Sequence, residues 1–248
     1  MKKDFNENTI KRYEELLERS RRQGIYTYTP FHSTLGASLA FKVAQEEELK
    51  LFGGMDNCER VVIRFGCEKN MGYTEDFPIS LLHIIPKSEK YAEKLEHRDY
   101  LGALMNLGIE RDRIGDIIIN EKDAFIFVLE DIADFLARSL DTIRHTSVKC
   151  EIIYEIPKDI LKEEKEEEYS LTSVRIDALL SKIYKISRED TKNLVAKEAV
   201  FVNGRPLSKP EYEPKEGEII IARTLGRFTY LGKQRENKKG KNVILIKR

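Results

Sequence analysis

The sequence predicts an α+β protein, and three observations carry that expectation. Short apolar runs alternate with helical-period stretches from residue 79 to residue 156. Two amphipathic stretches follow from residue 173, the second opened by a capping signature. Beyond residue 200 the chain returns to short apolar runs punctuated by glycine turns. Such a mixture of strand runs and grouped helices, without strict βα alternation throughout, is the α+β pattern.

Length and composition set the frame. At 248 residues the chain can bury an ordinary core and divides naturally into two or three small domains. Hydrophobic residues make up 41% and charged residues 35%, and no apolar run approaches the roughly 18 residues of a bilayer span, so no membrane crossing is expected. The start, MKKDFNENTIKRYEELLERS, is charged and amphipathic and lacks the apolar stretch of a signal peptide, which points to the cytoplasm. Cys58, Cys67 and Cys150 show no CxxC spacing and are expected as buried thiols, with no metal site and no disulfide framework.

Within residues 1–75, an N-terminal α/β region, the period through Tyr13, Leu16 and Leu17 predicts a helix, and ERVVIRFG (Glu59 to Gly66) predicts a strand. Between them YTYTPFHSTLGASLAFKVAQ mixes turn and helix signals, and pattern alone assigns no fold there. Residues 76–157 are clearer. ISLLHIIP (Ile79 to Pro86) is a short apolar run ending at proline, hence a buried strand. Leu101, Leu104, Met105 and Gly108 recur at helical spacing, with Gly108 suited to the left-handed stop. DIIIN (Asp116 to Asn120) and AFIFVLE (Ala124 to Glu130), separated by EKD, read as a hairpin. A second helix is expected near Asp131 with Ile132, Phe135, Leu136, Leu140 and Ile143 on one stripe, and VKCEIIYEI closes the unit as a strand. The order β-α-β-β-α-β is that of ferredoxin-like and RNA-recognition-motif folds. Phe125 and Phe127 share one strand face, but KDAFIFVL lacks the basic-glycine pattern of a base-stacking strand, so both are assigned to core or interdomain packing.

PKDILKEEKEEEY (Pro157 to Tyr169) offers no apolar face, and residues 158–169 are expected as a charged linker or short exposed helix before a module at 170–248. From Tyr169 to Arg248 there are 18 Lys/Arg against 9 Asp/Glu, a surplus of nine that residues 1–168 offset, since the whole chain is neutral. Such asymmetry suggests a polyanion-binding module joined to something acidic. In it, SVRIDALLSKIYK predicts a helix with stripe Ile176, Leu179, Leu180, Ile183 and Tyr184, flanked by Arg175 and Lys182 seven apart. Ser187 and Asp190 form a capping box, so the next helix starts at Arg188, with stripe Thr191, Leu194, Val195 and Ala199 and with Arg188 and Lys192 along one edge. VFVNGRPLS then gives a strand and an Asn203-Gly204 turn, and EGEIIIART, GRFTYLGKQ and NVILIKR give further strands. A helical hairpin on a small sheet, with cations beside its stripes, is a shape that rests on an RNA backbone, binding by charge and weakening with salt.

These residues carry a resemblance. SVRIDALLSKIYKISREDTKNLVAKEAVFVNG resembles the alpha-L RNA-binding motif named after small-subunit ribosomal protein S-four, with its R-x-D, S-R and V-N-G. The resemblance implies an RNA face of Arg175, Ser187, Arg188, Lys192, Asn203 and Arg205, extended by Arg223 and Arg227, with Lys182 beside them on the first helix. Relatives usually carry glycine where this chain has Glu198; should that residue take a positive φ, glutamate costs about 1 kcal/mol and brings a negative charge to the RNA face. LFGGMDNCERVVIRFG and HRDYLGALMNLGIERDRIGDI resemble signature segments of the YlmH family, with Met55 where tyrosine is common. That resemblance implies a ribosome-associated quality-control protein. Its partners would be rRNA and tRNA on large subunits that still hold peptidyl-tRNA after a stall, and it would support C-terminal tailing of the trapped chain. A monomer is expected, with no cofactor, no small-molecule substrate and no membrane; its oligomeric state, and whether the central domain meets RNA or protein, stay open.

The alternative is an RNA-modifying enzyme of the pseudouridine-synthase kind, because the same motif serves as an accessory in such enzymes. Asp177 in VRID is superficially like their R-L-D, but it lies in the motif's own first helix as a helix-start carboxylate. KISR (Lys185 to Arg188) is the link between the two helices, and no glycine-rich strand-to-helix loop is found. The FGG and LG pairs read as turn and cap glycines. His97-Arg98-Asp99 opens a helix, and His32, His83 and His145 are isolated. No catalytic or metal-binding residue is therefore expected, and the chain is read as a binder.

Overall fold

The structure, a computed structural model, describes residues 2–56, 58–158 and 164–248. Its contacts fall into two compact units, residues 1–161 and 162–248.

The first unit opens with helix α1 (Lys2–Gln23), whose Tyr13, Leu16 and Leu17 are buried. Strands β1 (Thr27–Tyr28) and β2 (His32–Ser33) follow, then helix α2 (Thr34–Ser38), strand β3 (Leu49–Phe52), strand β4 (Arg60–Phe65) and helix α3 (Glu68–Met71). β4 is the hub, because β1, β2 and β3 all pair with it antiparallel. One core joins α1 to Ala37, Ala40, Leu49, Ile63 and Phe65.

Next come β5 (Ile79–Pro86), α4 (His97–Asn106), β6 (Ile114–Asn120), β7 (Asp123–Leu129), α5 (Glu130–Ser139), β8 (Thr142–Ile143) and β9 (Thr146–Ile153). All pairings in this sheet are antiparallel, in the order β6-β7-β5-β9-β8. The two-residue period of β7 sends Ala124, Ile126 and Val128 into the core beneath α4 and α5, and Phe125, Phe127 and Leu129 to the opposite face. The expected helix stripes need correction. α5 ends at Ser139, so Ile143 reaches the core from β8, and the buried helix positions are Ala133 and Leu136, while Phe135, one step round the helix, is 48% exposed. Met105 on α4 is likewise exposed.

The second face of this sheet is not open. Phe31 and Val62 pack on Leu81, Phe125, Phe127 and Leu129, which places both phenylalanines of β7 in packing between the N-terminal and central segments. Gly54 lies against the Phe127 ring with φ +108, where a Cβ would fall 2.1 Å from a ring carbon. The second glycine of FGG is therefore required by close approach as well as by the turn. The Arg60 guanidinium donates to the carbonyls of Ile114 and Phe31, both at 2.9 Å, and the Asp116 carboxylate accepts from the amides of Glu59 (2.7 Å) and Arg60 (3.0 Å). Residues 1–75 and 76–157, expected as separate domains, share these contacts within one compact unit.

The second unit contains β10 (Glu166–Leu171), α6 (Ile176–Tyr184), α7 (Arg188–Ala196), β11 (Val200–Val202), β12 (Arg205–Pro206), β13 (Ile219–Ala222), β14 (Gly226–Glu236) and β15 (Asn242–Lys247). Its strands form one antiparallel sheet, in the order β10-β15-β14-β13-β11-β12. Ile176, Leu179, Leu180 and Ile183 of α6 and Val195 of α7 pack with Val200, Ile220, Phe228, Ile244 and Ile246. The linker expected at 158–169 is corrected by β10: from Glu166 the acidic run is an edge strand paired residue by residue with β15. Residues 159–163 of that stretch lie outside the described residues. Among the described residues no helix is long and apolar enough to cross a membrane.

Candidate nucleic-acid interface

The start of α6 is locked by charge. Asp177, 2% exposed, accepts from the amide of Ala178 at 2.9 Å and takes both Nε (3.2 Å) and Nη2 (3.0 Å) of Arg175. Arg175 also faces Glu211 at 3.3 Å. A carboxylate in the first turn favours the helix dipole, and a guanidinium held by two carboxylates is positioned by them. Arg175 is therefore a structural cation first, and its contribution to a free basic face is smaller than the sequence suggests. The same contacts give Asp177 a structural role at the point where the enzyme reading would need a catalytic aspartate.

The start of α7 is closed as well. Ser187 Oγ accepts from the amide of Asp190 at 3.0 Å and donates to its Oδ2 at 2.6 Å, while that carboxylate accepts from the Ser187 amide at 3.3 Å. The capping box is complete, and the Ser187 hydroxyl is engaged within the fold. Before it, Lys185 turns the chain with φ 56, and Ser181 Oγ donates to the carbonyl of Ile186 at 2.6 Å, which fixes the link between the helices.

At the exit of α7, Glu198 takes φ 51, the left-handed conformation that the glycine of relatives would adopt without strain. The amide of Arg223 then donates to the carbonyl of Ala199 at 2.8 Å, so Arg223 stands beside the residue after Glu198. Asn203, with φ 50, accepts from the amide of Ile219 through Oδ1 at 2.9 Å and donates its own amide back to Ile219 at 2.9 Å. Its carbonyl oxygen is thus a turn-building group. Arg205 is exposed opposite Val202 at the β11–β12 turn, and Arg227 is half-buried opposite Ile221. β11 separates the two groups: Arg223 adjoins one end and Asn203 with Arg205 the other, about 13 Å apart at the usual strand rise.

Among the described residues, Lys182, Arg188, Lys192 and Arg223 are exposed and form no ion pair. Arg188 and Lys192 lie one turn apart on α7, which buries Thr191 and Val195, and both are exposed to solvent.

The acidic edge strand was not foreseen. Arg235 makes a bidentate pair with Glu168 (2.9 and 2.8 Å), Arg248 pairs with Glu167 at 2.9 Å, and Lys247 with Glu164 at 3.2 Å. Hydrogen bonds from Arg248 and Tyr169 hold the Glu167 carboxyl below its usual range, and Arg235 does the same to Glu168. Counted over residues 162–248, the basic surplus falls from nine to six. The alternation of Glu167, Tyr169 and Leu171 was the available strand signal.

In the central segment several arginines pair locally: Arg113 with Asp131, Arg98 with Glu96 at 3.1 Å, Arg138 with Asp134 at 3.6 Å, and Arg144 with Glu93 and Asp99 at 3.7 and 3.6 Å. Asp99 also caps α4 by accepting from the amide of Glu96, so His97-Arg98-Asp99 is helix-start chemistry. Among the described residues no group of His, Cys, Asp and Glu could hold a metal ion.

Known proteins resemble this chain in sequence and in fold. Residues 73–155 match the family model described as "Putative RNA-binding domain in YlmH", so the chain carries an RNA-binding domain of that class. Over 204 residues it is 29% identical to the "Ribosome-associated protein quality control protein P2" of Bacillus subtilis (strain 168), spanning 81% of this chain and 77% of that one. The solved structure of "Cell division protein ylmH from Streptococcus pneumoniae" covers 60% of this chain and 91% of its own, with TM-score 0.50 and 20% identity, which shows a shared fold. The chain is thus similar to YlmH proteins in its central segment by family model, over most of its length in sequence, and over 60% of its length in fold.

Proposed function

We propose that this chain is an RNA-binding protein of ribosome-associated quality control that engages large subunits still carrying peptidyl-tRNA. Its central segment is read as an RNA-recognition-motif-like domain and residues 170–248 as an alpha-L module that docks on rRNA and tRNA. The protein works in the cytoplasm as a monomer, and its role is binding, with no chemistry of its own. The name of the Bacillus subtilis relative supports the ribosomal setting.

One observation carries the choice of surface. Lys182, Arg188, Lys192 and Arg223 stay exposed and without carboxylate partners, in a unit where the cations of β14 and β15 meet glutamates. Ammonium and guanidinium groups left in water exchange counterions with phosphate at little desolvation cost, so affinity rests on charge and falls with salt. The aromatic face of the central sheet is covered by Phe31 and Val62, so any RNA contact of residues 73–155 uses another surface, and the exposed cations of the second unit support that unit as an RNA contact.

The test is sedimentation with purified large ribosomal subunits. The wild-type protein should co-sediment and be released as salt rises. Arg188→Glu combined with Lys192→Glu should lower binding by about a hundredfold, two reversed charges each removing a phosphate contact and adding repulsion. Retained co-sedimentation of a folded double variant would overturn the reading.

A further inference from the structure

We propose that the tip of the β14–β15 hairpin, Lys238, Lys239 and Lys241, is a second phosphate-binding point for the RNA backbone, separate from the helical edge. The proposal rests on the reading of residues 170–248 as an RNA-binding module and extends it to a surface outside the recognised motif.

The tip is preorganised. The amide of Asn237 donates to the carbonyl of Lys241 at 2.9 Å, and that of Gly240 to the carbonyl of Asn237 at 2.9 Å. Asn237 Oδ1 accepts from the amides of Lys239 (2.9 Å) and Lys241 (3.0 Å), while its Nδ2 donates to Ser170 Oγ on β10 at 2.7 Å. Asn237 and Gly240 therefore build the turn and fasten it to the neighbouring edge. The lysine side chains contribute nothing to that construction.

Their charges are also unbalanced. Lys233 pairs with Glu236 at 2.7 Å, and Arg235, Lys247 and Arg248 each face a glutamate. Lys238, Lys239 and Lys241 are exposed and, among the described residues, form no ion pair. Three ammonium groups within four positions repel one another in the free protein, and a polyanion relieves that repulsion. NKKGK holds no aliphatic or aromatic residue to enter a lipid surface. Ammonium groups act as point charges toward phosphate and lack the planar fork that reads guanine edges, so the contact is independent of base sequence.

The separation between contacts matters. β14 has 11 residues, and the Arg223–Arg227 turn and the lysine tip lie at its opposite ends, on the order of 30 Å apart at about 3.3 Å per residue. The two points must meet different phosphates, so their counterion releases add.

The experiment uses the full chain with Lys238, Lys239 and Lys241 replaced by glutamine, titrated against a fluorescent double-stranded RNA hairpin at increasing potassium chloride. The slope of log affinity against log salt should shrink by about two to three, three lysines each releasing roughly 0.7–0.9 ion. Affinity at low salt should fall about tenfold or more. An unchanged slope in a variant with unaltered thermal unfolding would overturn the proposal. If the Arg188→Glu, Lys192→Glu variant loses binding while the tip variant keeps its slope, the tip fails and the wider reading stands. If neither substitution affects binding, both fall.

Discussion

The central sheet and the C-terminal sheet present their aromatic and charged side chains in opposite ways. On the first, the aromatic side chains Phe125 and Phe127 lie beneath Phe31 and Val62, and elsewhere in the segment Arg98, Arg113 and Arg144 pair with carboxylates. On the second, apolar stripes of α6 and α7 are buried while Lys182, Arg188 and Lys192 remain in water without partners. A sheet whose aromatic face is filled cannot stack bases on that face, whereas exposed cations without carboxylate partners stay available to a polyanion.

The largest expected effect breaks the filled face. Gly54→Val would drive a branched side chain into the Phe127 ring at a residue with φ +108, combining overpacking with backbone strain, and should cost at least about 3 kcal/mol. Urea unfolding measures it, and a change below about 1 kcal/mol would mean that the N-terminal segment does not seat as described.

A smaller effect sharpens the open face. Glu198→Gly removes the left-handed strain and a negative charge beside Arg223, so it should stabilise the protein by about 1 kcal/mol and tighten RNA binding together. Calorimetry and a binding titration read the two parts, and a lowered melting temperature would contradict the geometry.

The smallest effect concerns pH. Glu167 is held below its usual value first by the Arg248 hydrogen bond and then by that of Tyr169, so the pair contributes stability above pH 4.5 and loses it as the pH falls through the depressed folded value. Arg248→Ala should therefore lower the melting temperature at neutral pH slightly and leave the most acidic part of the profile unchanged.

Much of the C-terminal unit was legible in the sequence because its signals are local. Ser187 and Asp190 mark the start of α7, and Glu198 stands out as the position where a positive φ would strain a side chain, which is the conformation it takes. The N-terminal fold was not legible, because β1 and β2 have two residues each, too few for a period, and take their structure from pairing with β4. The acidic strand was hidden because a run of glutamates looks solvated until its partners on β14 and β15 are known. Within the candidate site, residue types were readable but their hydrogen bonds were not: Arg175, Ser187 and Asn203 all have functional-looking side chains that the fold employs itself.

The strand Glu166–Leu171 has a consequence for selectivity. Its carboxylates resemble a short stretch of nucleic acid in charge, and register with β15 keeps them at one border of the sheet. They occupy Arg235 and Arg248 as phosphates would, so this border of the sheet is neutral and those two cations are withdrawn from any outside polyanion.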